Sequence, residues 1–232
     1  MSSKLSIIIP IYNERSTLHD IISKVRFSDL RGLQKEIILV DDGSADGTRE
    51  MLQELKDPDL KIYFNERNLG KGGAVRHGFQ KATGEILIIQ DADLEYDPND
   101  YYAVILPILE GKADAVMGIR FVAEADKKKH GLFYGLGNKV ITLVNNLLYF
   151  NNAQEYTGGY KAFKKSIVDS ISVNSNGFDY EHELICKVLK RGYKVATIPI
   201  HYSPRDYTEG KKINWRDGFK ILWVIIKYRF VD

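Results

Sequence analysis

At 232 residues the chain is long enough for one substantial hydrophobic core and short for two. Its 44% apolar and 28% charged residues argue against a disordered or fibrous protein, and a net charge of +2 argues against a nucleic-acid binder that works by bulk charge. The single cysteine, Cys186, excludes an intrachain disulfide framework and fits a reducing compartment, and the five scattered histidines have no zinc-ligand spacing.

Leu5 to Ile9 reads as a buried strand closed by Pro10, with no cleavage pattern of a signal peptide after it. Leu18, Ile21, Ile22 and Val25 follow at helical spacing, and Glu36 to Val40 predicts a second strand. Met51, Leu52 and Leu55 mark a helix, Lys61 to Asn65 a third strand, and Ala74, Val75, Phe79 and Ala82 the helix behind it. Glu85 to Gln90 predicts a fourth strand and Ala113 to Gly118 a fifth. This alternation predicts an α/β fold whose mostly parallel sheet is covered on both faces.

Beyond Arg120 the rhythm changes. Phe121 to Gly131, with three consecutive lysines, reads as a loop, followed by the apolar segment Leu132 to Phe150 and a strand around Gly159 to Phe163. Leu184, Ile185, Val188 and Leu189 line a helix that Gly192 closes, and Lys194 to Ile200 predicts the last strand. A polar loop from His201 to Ile213 leads to a terminal helix, apolar almost all round from Ile221 to Ile226. No stretch reaches the ~18 uninterrupted apolar residues of a spanning helix, so the expectation is a chain that does not cross a membrane by itself. With no repeat or linker, the sequence predicts one domain, residues 1–232.

Parallel α/β sheets bind ligands at the carboxyl ends of their strands. The segment after the first strand, Pro10 to Glu14, lacks the glycine fingerprint of a dinucleotide fold. After the second come Asp41 and Asp42, acids able to accept hydrogen bonds from a base or ribose. The alternative is a helix cap, which Ser44 or Asp46 would supply. Gly70 to Gly73 lacks the spacing of a phosphate loop and reads instead as a helix start that packs close to its neighbours. The sharpest feature is Asp91-Ala92-Asp93-Leu94-Glu95 directly after an apolar strand. Carboxylates at alternate positions there could share one hard cation, Mg²⁺ or Mn²⁺, that bridges to a diphosphate; the alternative is a turn with solvated acids. Arg120 ends the fifth strand, and Arg205, Lys211 and Lys212 lie in the late polar loop, where a closing phosphate clamp is one reading and solvated surface charge the other.

Together these segments resemble glycosyltransferase family 2 with its GT-A fold, and in particular its dolichyl-phosphate mannose synthase-like branch. The likeness rests on Pro10-Ile11-Tyr12-Asn13-Glu14, Val40 to Thr48, Asn68 to Ala74, Asp91-Ala92-Asp93, Val116 to Arg120, Tyr160 to Phe163 and Arg205 with Glu209 to Lys212. The resemblance implies transfer of a hexose, with mannose from GDP-mannose favoured and UDP-sugars as the alternative, to a dolichyl or polyprenyl phosphate with inversion. It implies that Pro10, Tyr12, Glu14, Val40 and Asp42 hold the nucleoside, with Asp91, Ala92 and Asp93 at the donor. Asp91, Asp93 and Glu95 would hold Mg²⁺ or Mn²⁺, and Arg120, Arg205 and Lys211 would contact phosphates. The family often has glutamine where Glu95 stands and aspartate near Glu155. Residues 1–120 then form the nucleotide-sugar and metal half, and 121–232 the acceptor half.

A phosphate acceptor is already ionised near neutral pH and needs no strong base, whereas a hydroxyl acceptor would need a carboxylate, for which Asp179 or Glu181 is the candidate. Their alternative reading is solvated charge opening a helix. The two apolar segments, with seven basic and four acidic residues from Arg205 to Asp232, would suit a peripheral position at the cytoplasmic face of a membrane or else pack into a core or dimer interface. Transfer to a sugar or protein hydroxyl and a nucleotide-sugar-binding subunit without turnover are the rival functions.

Overall fold

The computed structural model describes residues 3–121, 132–203 and 215–232. Seven strands, β1 (Lys4–Ile11), β2 (Gln34–Asp41), β3 (Leu60–Phe64), β4 (Ile86–Ile89), β5 (Ala115–Phe121), β6 (Lys161–Lys164) and β7 (Val195–His201), form one sheet in the order β3-β2-β1-β4-β6-β5-β7. All pairings are parallel except those of β6, which runs antiparallel to both β4 and β5. The α/β sheet expected from the alternation is present. The strand expected over Gly159 to Phe163 begins later, at Lys161, and the fifth strand runs further, to Phe121.

The helices are α1 (Leu18–Phe27), α2 (Thr48–Glu54), α3 (Lys71–Lys81), α4 (Tyr101–Leu109), α5 (Leu132–Tyr149), α6 (Lys165–Ser170), α7 (Tyr180–Lys190) and α8 (Trp215–Phe230). Successive strand residues point to opposite faces, and the core divides accordingly. Ile7, Ile9, Leu39 and Ile88 pack with α1 and α4, whereas Ile8, Ile38, Leu87 and Ile89 pack with α3 and α7. The closure of α7 by Gly192 is as expected, with φ at +77° where a side chain would be strained.

A third cluster joins α5, α7 and α8 through Ile141, Tyr149, Cys186, Val224, Ile225 and Tyr228. Cys186 is a buried core thiol, with its pKa pushed up to about 12 chiefly by burial. The inner stripes of α5 and α8 therefore do pack into a core. Their outer stripes are apolar as well: Val140, Leu143, Leu147 and Phe150 on and after α5, and Phe219, Trp223, Ile226 and Phe230 on α8, are exposed.

The strand order turns back between β1 and β4, which places a topological switch point, the usual ligand crevice of such sheets, beside Tyr12 and Asp91. Because β6 is antiparallel, its first residue Lys161 lies opposite Ile89 at the end of β4 and Met117 on β5. Segments 10–14, 41–44, 65–70, 90–95, 118–121 and 158–161 thus meet on one edge of the sheet.

Candidate active site

The segment after β1 is stitched to the segment after β2. Asn13 adopts a left-handed φ of +53°, donates its N–H to Ser44 Oγ at 2.9 Å, and accepts from the Ala45 N–H through Oδ1 at 2.9 Å. The Glu14 N–H donates to Thr48 Oγ1 at 3.0 Å, and the Arg15 N–H to Asp46 at 3.2 Å. Ser44 and Asp46 therefore tie the two turns together, while Gly47 stands at the N-cap of α2 and supplies no side-chain cap. Asp46 still accepts from the Thr48 N–H at 3.0 Å.

Of the residues expected to hold a nucleoside, Tyr12 is exposed, Pro10 half-buried and Glu14 buried at this edge. The Val40 side chain, by contrast, is buried in the core cluster with Ile8, Ile38 and Ala74. Asp42 is buried and accepts from Asn65 Nδ2 at 2.7 Å, the Leu69 N–H at 3.0 Å and the Gly70 N–H at 2.8 Å. Burial raises its pKa, with these three donors opposing the shift, and the carboxylate fixes the 65–70 loop. Its neighbour Asp41 accepts from the Ser44 N–H at 3.2 Å and lies 3.3 Å from Arg49.

Asp91, Asp93 and Glu95 are half-exposed around a buried Ala92, and Leu94 takes a left-handed φ of +64° between the last two. Strain of this kind is held in place by the surrounding structure; here the Glu95 N–H closes a turn onto Asp93 Oδ1 at 3.1 Å. Behind the turn, Gln90 Oε1 accepts from Tyr101 Oη at 2.5 Å and Tyr160 Oη at 2.7 Å, anchoring the end of β4. An all-carboxylate donor set suits a hard divalent cation. Among the described residues, no three acidic, histidine or cysteine side chains converge into a ready-made cage. As arranged here, Asp91, Asp93 and Glu95 therefore do not by themselves enclose one ion, as three carboxylates sharing a cation would.

Arg120 lies on the same edge, its side chain largely covered rather than solvated. Glu155 accepts from its backbone N–H at 3.0 Å, from Nε at 2.7 Å and from Nη2, while Thr157 Oγ1 accepts from Nη2 at 2.7 Å. Burial alone would raise the Glu155 pKa, but the Arg120 charge and these donors hold it below the ordinary range. The other expected phosphate ligands, Arg205, Lys211 and Lys212, lie outside the described residues.

Sequence reasoning missed a second charge system. Lys71 Nζ ion-pairs with Asp91 Oδ1 and Glu181 Oε1, both at 2.7 Å, and Lys161 pairs with Glu181 from the other side. Glu181 is buried, so the reading of it as a solvated charge at a helix start does not hold. Burial would raise its pKa, but Lys161 and Lys71 outweigh that and hold it below the ordinary carboxylate range. A carboxylate so stabilised as an anion is a poor proton acceptor. The glycines of 70–73 were the available signal. A Cβ on Gly72 would come within 2.4 Å of Tyr180 Cβ, so this helix start must lie against the start of α7, as the close packing expected of it requires.

Residues 6–172 match the family model for glycosyl transferase family 2. A dolichol-phosphate mannosyltransferase of Pyrococcus furiosus is 30% identical over 90% of this chain and 59% of its own length. Glycosyltransferase AglJ of Haloferax volcanii is 29% identical over 86% of this chain and 63% of its own length. The chain thus spans less than two thirds of either relative. Glucosyl-3-phosphoglycerate synthase from Mycobacterium tuberculosis, solved with Mn²⁺, UDP and phosphoglyceric acid, superposes with a TM-score of 0.76 at 17% identity. That superposition covers 99% of this chain and 80% of the synthase, a likeness of fold that places the sheet in the GT-A class. With the family model covering most of the sequence, including the strand ends that form this edge, the chain belongs to glycosyl transferase family 2.

Proposed function

We propose that the chain is a metal-dependent, inverting glycosyltransferase that moves a hexose from a nucleotide-sugar, GDP-mannose in the favoured case, to a dolichyl or polyprenyl phosphate. The observation that carries this reading is the convergence of Asp91, Asp93 and Arg120 with Tyr12 and Glu14 on one sheet edge. The mannosyltransferase relative supports the lipid-phosphate acceptor, and the UDP- and Mn²⁺-bound synthase supports a nucleotide donor used with a divalent cation.

Asp91 and Asp93, with Glu95, would hold Mg²⁺ or Mn²⁺, which offsets charge on the leaving diphosphate. The chain's own groups do the rest. The 10–14 and 41–48 turns, locked by Asn13 and Ser44, form the floor for the nucleoside. The Gln90–Tyr101–Tyr160 hydrogen bonds fix the strand end from which the acids project. Arg120 supplies a planar cation matched to phosphate oxygens, with Arg205 and Lys211 as its partners in the clamp. An acceptor phosphate enters as an anion, so catalysis rests on positioning and charge stabilisation. The hydroxyl-acceptor reading needs a base; the pairing of Glu181 with two lysines disfavours it in that role, and Asp179 is left as the candidate.

The outer apolar stripes of α5 and α8 support a peripheral position on a lipid surface, with Lys139, Lys220, Lys227 and Arg229 on the same helices to meet anionic headgroups. Among the described residues no helix is long and apolar enough to cross a membrane.

The test is product formation from a panel of GDP- and UDP-sugars with Mn²⁺ or Mg²⁺ and a short polyprenyl phosphate, each paired with a lipid-free control. A lipid-dependent sugar-phosphate product is expected. Donor hydrolysis without it would shift the acceptor to a hydroxyl, and binding without turnover would favour a non-catalytic subunit.

A further inference from the structure

The Gly70–Gly73 helix start carries a cation, Lys71, in direct contact with the first acid of the Asp91–Glu95 turn. Its position is built. Gly70 has φ of +87°, and the Gly72 N–H donates to Asn176 O at 2.7 Å. Arg76 donates to Val173 O and to Asn176 Oδ1, and Glu183 accepts from the N–H groups of Asn174 and Ser175 at 3.0 and 2.8 Å. The start of α3 is thereby pinned to the segment leading into α7, and Lys71 is brought between Asp91 and Glu181.

The resulting chain alternates in sign: Asp91, Lys71, Glu181, Lys161, and then the carbonyl of Gly158, which accepts from Lys161 Nζ at 2.6 Å. The side chain of Lys71 is 18% exposed and those of Glu181 and Lys161 are 9% and 1%, so screening by water is weak along most of it. Burial would lower the Lys71 pKa, but Asp91 and Glu181 raise it well above its usual value and keep the ammonium charged. The four side chains sum to zero charge, and Glu181 keeps Lys161 as a partner if Lys71 is neutralised.

We propose that Lys71 is a positioning residue that holds Asp91 and, by spending one carboxylate oxygen and placing a positive charge behind the acidic turn, makes tight divalent-cation binding conditional on a nucleoside diphosphate. The inference rests on the transferase reading above. Without nucleotide, a divalent cation approaching Asp91 meets the repulsion of Lys71 a few ångströms beyond. A diphosphate supplies the negative charge that outweighs it, so cation and donor bind together and a bare ion does not linger. Lys71→Gln removes the charge and keeps a polar side chain of similar size at this position.

The experiment is Mn²⁺ binding by water-proton relaxation, without nucleotide and with GDP or UDP, to wild type, Lys71→Gln, Lys71→Met and Lys71→Arg. Nucleotide-free Mn²⁺ affinity is expected to rise at least tenfold in Lys71→Gln and Lys71→Met. The enhancement by nucleotide should shrink by a similar factor, and Lys71→Arg should stay close to wild type. A purely architectural Lys71 would give weaker binding in the neutral variants, the opposite sign. Equal or weaker nucleotide-free affinity in folded Lys71→Gln, beside nucleotide-dependent Mn²⁺ binding by wild type, overturns the role of Lys71 alone. Wild type that binds no Mn²⁺ even with GDP or UDP overturns the metal-dependent part of the proposed function and this inference with it.

Discussion

Replacing Glu155 with glutamine isolates the charge that holds Arg120 in its resting position. Glu155 is 14% and Arg120 8% exposed by side chain, so the pair is largely withdrawn from water. Breaking a buried ion pair from one side costs about 3–5 kcal/mol, because the remaining charge is left uncompensated. Glutamine keeps one acceptor oxygen for the Arg120 N–H or Nε, and Thr157 still accepts from Nη2, so the expected loss is about 2–3 kcal/mol. For a chain of this size that corresponds to a fall in Tm of roughly 5–10 °C, read by differential scanning calorimetry at neutral pH. The sign with pH is an internal control. Glu155 has a depressed pKa in the folded state, so its contribution is present above the ordinary carboxylate pKa and is lost as pH falls through the folded value. The gap between wild type and Glu155→Gln should therefore close in acid. Inorganic pyrophosphate should restore more of the lost Tm in the variant than it adds to wild type, since the guanidinium no longer has a carboxylate to leave. A Tm unchanged to within a degree would refute the resting ion pair, and with it the view that phosphate must displace Glu155.

Asp93→Ala should abolish metal-supported turnover while leaving Tm near wild type; near-normal turnover would remove Asp93 from the cation site. Gly72→Ala forces a Cβ to within 2.4 Å of Tyr180 and should cost about 1–3 kcal/mol in urea unfolding, as overpacking does; an unchanged midpoint would show that α3 and α7 are not in register as described. At the opposite edge, Glu36 is buried, and its pKa is held at about 2 because the donors Lys61, Ser6 and Thr83 outweigh the opposing effect of burial. Its depressed value makes it stabilising above pH ~4.5 by about 2–3 kcal/mol, lost as pH falls towards 2. Glu36→Gln should flatten the acid limb of the stability curve, and an unaltered limb would contradict that assignment.

The fold was legible where local pattern and burial agree. Ile7, Ile8 and Ile9 alternate between two cores, so a strand covered on both faces leaves an unbroken apolar run in the sequence. The segment Lys161–Lys164 is half lysine, and its antiparallel place between β4 and β5 follows from pairing with residues 44 to 78 positions away, which no local pattern encodes. Gly158 and Gly159 fix where that strand begins. A Cβ on the first would meet the carbonyl of Gly118 at 2.0 Å and on the second the ring of Tyr96 at 2.2 Å, contacts visible only once the sheet is assembled.

The site divides in the same way. Asp91, Asp93 and Arg120 were legible because strand ends of a parallel sheet fall on one edge, so position along the sequence translates directly into position in space. Lys71, Glu181 and Lys161 were not, because each is a charge near the start of a helix or strand, where solvation is the default expectation, and their partners lie far off in the chain. What the assembled edge adds is charge balance: Asp41 is set against Arg49, Asp91 and Glu181 against Lys71, and Glu155 against Arg120. On the proposed reading, a phosphate that engages Arg120 at this edge must win it from Glu155, which already holds it. The displaced carboxylate then becomes an excess negative charge in a poorly solvated place, and a divalent cation arriving with the diphosphate is the species that can offset it. The self-neutralised resting state thus favours simultaneous arrival of donor and cation over either alone, a consequence of how these charges are paired rather than of any one residue.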